Sequence, residues 1–324
     1  MSTPQSKAAA AAEIDHAASG KNADKVFKGI AYGCGILILF TLAAVLIFLL
    51  IEAWPLFGGD QAAVGDRVQA YSQSTTSNFW VFVGILIFGT VLVSALALII
   101  AFFIALGIAL FISHYAPKKL ATGLSYVVDL LAAIPSVIYG LWGFLVLVPA
   151  IQPVWDWVAK YFYWTYIFSG PVANPARSVA TVAIVLAVMI LPIITSVSRD
   201  IFIQTPRLQQ EAALALGATK WEMIKLAVIP FGKSGVISAA MLGLGRALGE
   251  TMAVKMILDG GYEISVRLLQ AHQNQTIAAQ IAANYNEATD TTSVAILIGA
   301  GLVLFLLTFV VNFFARKITE KANA

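Results

Sequence analysis

Three ionisable residues stand inside long apolar runs of the chain. Arg246 and Glu250 belong to the run of residues 235–258. Asp129 belongs to the run of residues 120–150. Charge is costly inside a membrane, so such residues usually face a partner or a polar pathway. Because an arginine guanidinium keeps its charge and presents a planar fork of donors to oxyanions, Arg246, Glu250 and Asp129 are candidate residues for the passage of an anion.

The same three residues allow a structural alternative. Glu250 follows Arg246 by four residues, and on one continuous helix this spacing would place both side chains on one face, where they could form a buried ion pair. Asp129 could likewise pair with Arg246 instead of contacting a substrate. The residue types alone leave the two roles open.

Small residues recur beside Arg246. Gly245, Gly249 and Ala253 are spaced four apart, and such a stripe lets a second membrane helix approach closely. On a continuous helix the small-residue side would lie next to the charged side. We therefore expect helix packing at this stripe.

The composition of the 324 residues is typical of a membrane protein. The chain is 60% apolar and 11% charged, whereas soluble domains are about 45–50% apolar and about 25% charged. These figures exclude a soluble enzyme, a nucleic-acid-binding protein and a disordered chain. Cys34 is the single cysteine, so no intrachain disulfide and no cysteine metal cluster can form.

Six apolar runs reach the length of about 20 residues that a membrane helix needs. Continuous runs favour helices over the short alternating strands of a barrel. We predict an all-α integral membrane protein with one transmembrane domain over residues 29–324 and a disordered tail over residues 1–28. The predicted spans are 29–51, 80–113, 120–150, 179–198, 235–258 and 294–315.

The orientation follows from the lysines and arginines, which number 20. Most of them lie in both terminal segments, in the short turn at Lys118 and in the loop 199–234, and the positive-inside rule places these segments in the cytoplasm. A cluster of tryptophans and tyrosines between Trp155 and Tyr166 fits the lipid headgroup region on the other side. Both termini are therefore predicted to be cytoplasmic.

The loop 199–234 is predicted to form two short helices that meet at Gly217 and end at Pro230. One apolar face would contain Ala212, Ala213 and Leu216. Exposed small residues of this kind could dock into a groove on a partner. The alternative is an amphipathic helix that lies on the membrane surface.

The same loop resembles the EAA loop of ABC importer permeases, whose pattern is E-A-A-x3-G-x9-I-x-L-P. The resemblance implies a type I ABC importer permease fold with six transmembrane helices. It also implies that the loop couples the permease to an ATP-hydrolysing subunit. The coupling residues would be Glu211, Ala212, Ala213, Gly217 and Pro230.

A second resemblance is to the permeases of phosphate importers, and within them to the PstC type. It covers roughly residue 80 to the C-terminus, and Asp129 stands where a glutamate is common. The stretches that carry it are MLGLGRALGETMAV, LLAAIPSVIYGLWG, FSGP and SRDIFIQTP.

This resemblance implies a subunit of a bacterial inner-membrane phosphate importer that has no catalytic residue, metal or cofactor of its own. The implied partners are a second permease of the PstA type, an ATPase dimer that binds ATP and magnesium, a periplasmic phosphate-binding protein and membrane lipid. Three alternatives remain: a permease for sulfate, molybdate or phosphonate, an ion-coupled secondary transporter, and a membrane scaffold.

Overall fold

In a computed structural model of the protein, the backbone is described for residues 4–323 and the side chains for residues 24–320. The chain divides into two units, Met1–Glu52 and Ala53–Ala324. All the regular elements of the described residues are helical. The α-helices are α1 (Pro4–Glu52), α2 (Pro55–Gly58), α3 (Gln61–Tyr71), α4 (Phe79–Leu110), α5 (Lys118–Ala132), α6 (Ser136–Trp142), α7 (Val148–Tyr161), α8 (Val179–Ile203), α9 (Arg207–Ala215), α10 (Lys220–Met223), α11 (Ile229–Leu248), α12 (Met252–Ile257), α13 (Ile277–Asn284) and α14 (Thr291–Asn323).

The first unit consists of one long helix, α1. Its helical backbone begins at Pro4, whereas the sequence prediction has a disordered segment over residues 1–28. Alanine and lysine, which are frequent in this segment, are among the best helix formers. Residues 1–3 of the segment, and its side chains up to residue 23, lie outside the described residues.

Six helical stretches of the described residues are long and apolar enough to cross a membrane, which confirms the predicted number. The first, second, fourth and sixth overlap the predicted spans closely, and the third and fifth differ. The six stretches are Asp24–Gly58, Phe79–Tyr115, Ser136–Tyr161, Val179–Ile203, Lys220–Leu248 and Thr291–Glu320.

The third span is shifted relative to its prediction over residues 120–150. The first part of that run forms the separate helix α5, which ends at Ala132, and the membrane-length helix begins only at Ser136. Pro135 explains the division, because a proline disfavours the helical conformation of the residue before it. Hydropathy cannot detect such a break, since both parts of the run are apolar.

The fifth span also differs, at both of its ends. Helix α10 continues through a π-helical turn, Ile224–Val228, into α11, so Pro230 does not end a helix as predicted. A proline inside a helix lacks a donor and clashes with an earlier carbonyl, and the wider π-helical turn directly before Pro230 changes the hydrogen-bond register there. Helix α11 ends at Leu248, and a break separates it from α12.

Helix α8 forms the centre of the second unit and packs against α4 and α11. Its residues Leu186, Ile190 and Ile194 are fully buried. On α4, alanines at four-residue intervals are also fully buried, and small side chains of this kind allow two helices to approach closely. These alanines are Ala97, Ala101, Ala105 and Ala109.

Candidate functional site

The segment between α8 and α11 forms a helical hairpin of α9 and α10, which we call the coupling hairpin (residues 207–223). Its turn requires Gly217, whose φ of +84° lies in the left-handed region that favours glycine. The second helix begins with a capping box in which Thr219 and Glu222 exchange hydrogen bonds. Local sequence therefore fixes both the turn and the start of α10.

The coupling hairpin is anchored on one side and open on the other. Ile224 and Val228, directly after it, are fully buried with Phe202 at the end of α8. By contrast, Leu208 and Leu216 are 79% and 90% exposed. A rigidly attached element with large apolar side chains in the open is typical of a protein interaction site.

The predicted coupling residues lie in two places. Glu211 and Ala212 are exposed on α9, and Ala213 is half-buried beside a groove of about 550 Å³ that Leu216 also lines. Gly217 forms the turn next to the same groove, whereas Pro230 lies outside the hairpin at the start of α11. The predicted face of Ala212, Ala213 and Leu216 is thus on the accessible side of the hairpin.

Asp129 contacts α8 and not Arg246. Its Oδ1 accepts a hydrogen bond of 2.8 Å from the Ser196 hydroxyl and lies 3.4 Å from Nη2 of Arg199. Arg199 also donates to Asp200 through Nε and Nη2. The suggested pairing of Asp129 with Arg246 is therefore wrong, and the actual partner is an arginine that the sequence analysis counted as a loop residue.

Arg199 is part of α8, and its side chain is only 8% exposed. Ser196 precedes it by three residues, so both side chains lie on the same helical face opposite α5. This spacing was visible in the sequence. The apolar run ends just before Arg199, so hydropathy alone places the residue outside the membrane helix.

Arg246 makes one long hydrogen bond, from Nη2 to the Ile134 carbonyl at 3.5 Å. Among the described residues no carboxylate lies within 4.0 Å of its guanidinium. It lines a groove of about 610 Å³ between α11 and α14, and Arg316 lines the same groove. The sequence analysis used Arg316 only as an indicator of orientation, because it follows the last apolar run.

Glu250 lies in the break between α11 and α12, and it is 7% exposed. Its Oε1 accepts a hydrogen bond of 3.1 Å from the backbone N–H of Ala253, in the first turn of α12. The predicted one-face pairing with Arg246 is wrong, because it required a continuous helix through residue 250. The carboxylate instead stabilises the start of a new helix.

The small-residue stripe is interrupted by the same break. Within the described part of the chain, Gly245 has no neighbour within 4 Å of an added side-chain carbon, and the Gly249 position meets only the Gly245 carbonyl. Ala253 does pack closely, against Gly140 on α6, where a Cβ on the glycine would lie 2.7 Å from the Ala253 Cα. The close helix approach therefore joins α12 to α6 and does not run along a single face of α11.

The comparisons with known proteins agree on the class of protein to which this chain is similar. A family model described as "Binding-protein-dependent transport system inner membrane component" matches residues 104–322. A Mycobacterium bovis protein named "Phosphate transport system permease protein PstC 2" is 41% identical over 312 residues, which is 92% of each chain. The Haemophilus influenzae "Phosphate transport system permease protein PstC" is 36% identical over 92% of this chain and 93% of its own.

Solved structures resemble the fold at low sequence identity. A chain of the MetNI methionine ABC transporter superposes with a TM-score of 0.52 at 18% identity, covering 75% of this chain and 96% of its own. A chain of a bacterial transporter involved in alginate import gives a TM-score of 0.53 at 17% identity, covering 87% and 96%. The fold is thus that of an ABC importer permease, and this multi-pass membrane protein belongs to the family of binding-protein-dependent transport system inner membrane components, among its PstC-type members.

Proposed function

We propose that this chain is the permease subunit of an ATP-driven phosphate importer and works within a complex with other subunits. The extended similarity to PstC-type relatives supports phosphate as the substrate. The permease forms part of the path through the membrane and catalyses no covalent step. ATP and magnesium are bound by a partner ATPase, and this chain needs no cofactor of its own.

The exposed apolar surface of the coupling hairpin is the observation that carries the coupling role. The hairpin is fixed to the end of α8 through Phe202, Ile224 and Val228. A force applied by an ATPase at Leu208 or Leu216 would therefore be transmitted to the most deeply buried span. That span packs against α11, which carries Arg246.

The remaining partners follow from the same proposal. A second permease of the PstA type completes the path, and a periplasmic binding protein delivers phosphate at the opposite end of the bundle. Both termini and the coupling hairpin face the cytoplasm of a bacterial inner membrane, in accordance with the positions of the lysines and arginines.

A co-purification experiment with an exposed-residue control tests the coupling role. Leu216→Glu places a charge at the tip of the hairpin, and we expect it to abolish both co-purification with the ATPase and ATP-dependent phosphate uptake by proteoliposomes. The matched control is Ile264→Glu, at a residue of comparable chemistry that is 62% exposed in the connection after α12. This variant should retain the ATPase.

Whether phosphate uptake depends on a proton gradient distinguishes ATP-driven import from ion-coupled secondary transport. Uptake that continues without the ATPase, and that an ionophore abolishes, would contradict the proposed function. Uptake of sulfate or molybdate in place of phosphate would be compatible with the coupling role, but it would show that the substrate is a different oxyanion.

A further inference from the structure

The groove between α11 and α14 has a cationic lining that the coupling role does not use. It measures about 610 Å³ and is lined by two arginines, Arg246 from α11 and Arg316 from α14. Ser238, Asn312 and Thr319 add uncharged polar side chains, and among the described side chains no aspartate or glutamate lines it. Hydrogen-bond donors and positive charge thus converge in one recess.

Neither arginine is neutralised within the part of the chain that the structure describes. Arg246 has its single long hydrogen bond to a carbonyl. Arg316 has no ion-pair partner within 4.0 Å there and no side-chain hydrogen bond. Both positive charges line the same groove, and an anion bound there would be attracted by both.

The nearby acids have other partners. Asp129 binds Ser196 and Arg199, and Glu250 binds the first turn of α12. An anion in the groove would therefore meet guanidinium groups that are not already paired with a carboxylate. Such groups form strong bidentate hydrogen bonds with phosphoryl oxygens.

We propose that the α11–α14 groove binds a phosphoryl oxyanion and that Arg316 is a ligand-binding residue there together with Arg246. The lining residues of α11 extend from Ser238 to Arg246, a distance of eight residue steps or about 12 Å along the helix. A groove of this length has room for one phosphoryl group.

Two sources supply this chemistry, the transported inorganic phosphate and a phospholipid headgroup. The first source rests on the proposed transport function, whereas the second does not. Phosphate at neutral pH would use the groove as part of its route. A headgroup would occupy it from the membrane side.

A cysteine at Ser238 reports on occupancy of the groove without depending on transport. The natural Cys34 is first replaced in a Cys34→Ser background, and Ser238→Cys is then introduced into the full importer complex in nanodiscs. The alkylation rate is measured in chloride buffer, with inorganic phosphate at equal ionic strength, and in phosphatidylcholine discs with or without phosphatidylglycerol. ATP-driven phosphate uptake is measured separately on the same preparations.

Protection of the cysteine identifies the source of the ligand. We expect phosphate or phosphatidylglycerol to slow alkylation about tenfold, and Arg316→Gln to remove that protection, since one charge-assisted contact corresponds to at least about a tenfold change in affinity. Arg316→Lys should restore part of it. The matched control is Lys317→Gln. Lys317 is the next residue along α14, and it is exposed and does not line the groove. Its replacement should therefore leave the protection of the cysteine intact.

Three results would overturn the proposal: no protection by either probe, equal protection in Arg316→Gln, or a cysteine that never reacts because the groove is covered. If Arg316→Gln does not fold, the protection measured in Arg316→Lys and in the wild type still tests whether the groove binds an anion. Absence of phosphate uptake together with protection by phosphatidylglycerol would contradict the proposed transport function while supporting the groove.

Discussion

The carboxylate of Asp129 on α5 lies 3.4 Å from the guanidinium of Arg199 on α8, and this pair joins two helices that are separate in sequence. The two partners differ in burial, because Asp129 is 48% exposed and Arg199 is 8% exposed. Asp200 provides a second contact for the arginine at 2.8 Å. The arrangement favours a structural role for Asp129, since the carboxylate already has two partners on α8.

We therefore expect Asp129→Asn to affect stability more than substrate affinity. The amide can still accept the Ser196 hydrogen bond, and the half-exposed ion pair contributes about 1 kcal/mol or less. The unfolding midpoint of the complex should fall by a few degrees, while the phosphate concentration for half-maximal uptake stays within about twofold. Asp156→Asn, at a position that accepts only one long side-chain hydrogen bond from Gln152, is the control. An affinity loss of tenfold in Asp129→Asn would instead indicate contact with the substrate.

Gly217 allows a test of the turn in the coupling hairpin. Its φ of +84° makes an alanine strained although there is open space around it, and we expect Gly217→Ala to cost about 1 kcal/mol. Asparagine tolerates this conformation better, so Gly217→Asn should recover most of the ATPase activity that phosphate-loaded binding protein stimulates. Gly107→Ala, in open space on α4, should have no such effect. Equal activity of Gly217→Ala and wild type would show that the turn geometry is dispensable.

The sequence predicts the number of spans and the accessible hairpin because both depend on properties that are local and periodic. Apolar length determines a membrane helix, and the Gly217 turn follows from one residue type. The breaks at Pro135 and after Leu248 depend on backbone conformation within runs of uniform hydropathy, so the predicted spans 120–150 and 235–258 have the wrong ends. Arg199 and Arg316 stand at the ends of such runs, which is why counting of charges assigns the first to a loop and the second to the C-terminal segment.

Glu250 provides a test that separates helix capping from charge. Glu250→Gln keeps an oxygen that can accept the Ala253 N–H, whereas Glu250→Ala removes it and should cost about 1 kcal/mol. We expect Glu250→Gln to unfold at the wild-type temperature, because only the charge is lost, and Glu250→Ala to unfold a few degrees lower. Thermal unfolding of the complex measures both variants. Equal unfolding temperatures of Glu250→Ala and wild type would contradict the capping role.

Asp290, at the start of α14, should make the stability of the connection before α14 depend on pH. Hydrogen bonds from the Ser293 hydroxyl at 2.8 Å and from its backbone N–H at 3.0 Å hold the pKa of Asp290 below its ordinary value, and Arg67 at 3.3 Å adds to the shift. A carboxyl whose pKa is lower in the folded state stabilises the fold above its unfolded pKa, about 3.9, and this contribution is lost as the pH falls through the folded value.

The expected result is a difference between wild type and Asp290→Asn that changes with pH. At pH 7 the wild type should unfold at the higher temperature, and the difference should shrink below about pH 4 as Asp290 takes up its proton. Thermal unfolding of the chain in nanodiscs between pH 7 and pH 3 measures both midpoints. Asp60→Asn is a suitable control, because Asp60 caps α3 through a single backbone hydrogen bond, from Ala62. A difference that stays constant down to pH 3 would mean that the ionised carboxylate of Asp290 contributes nothing beyond what its amide analogue provides.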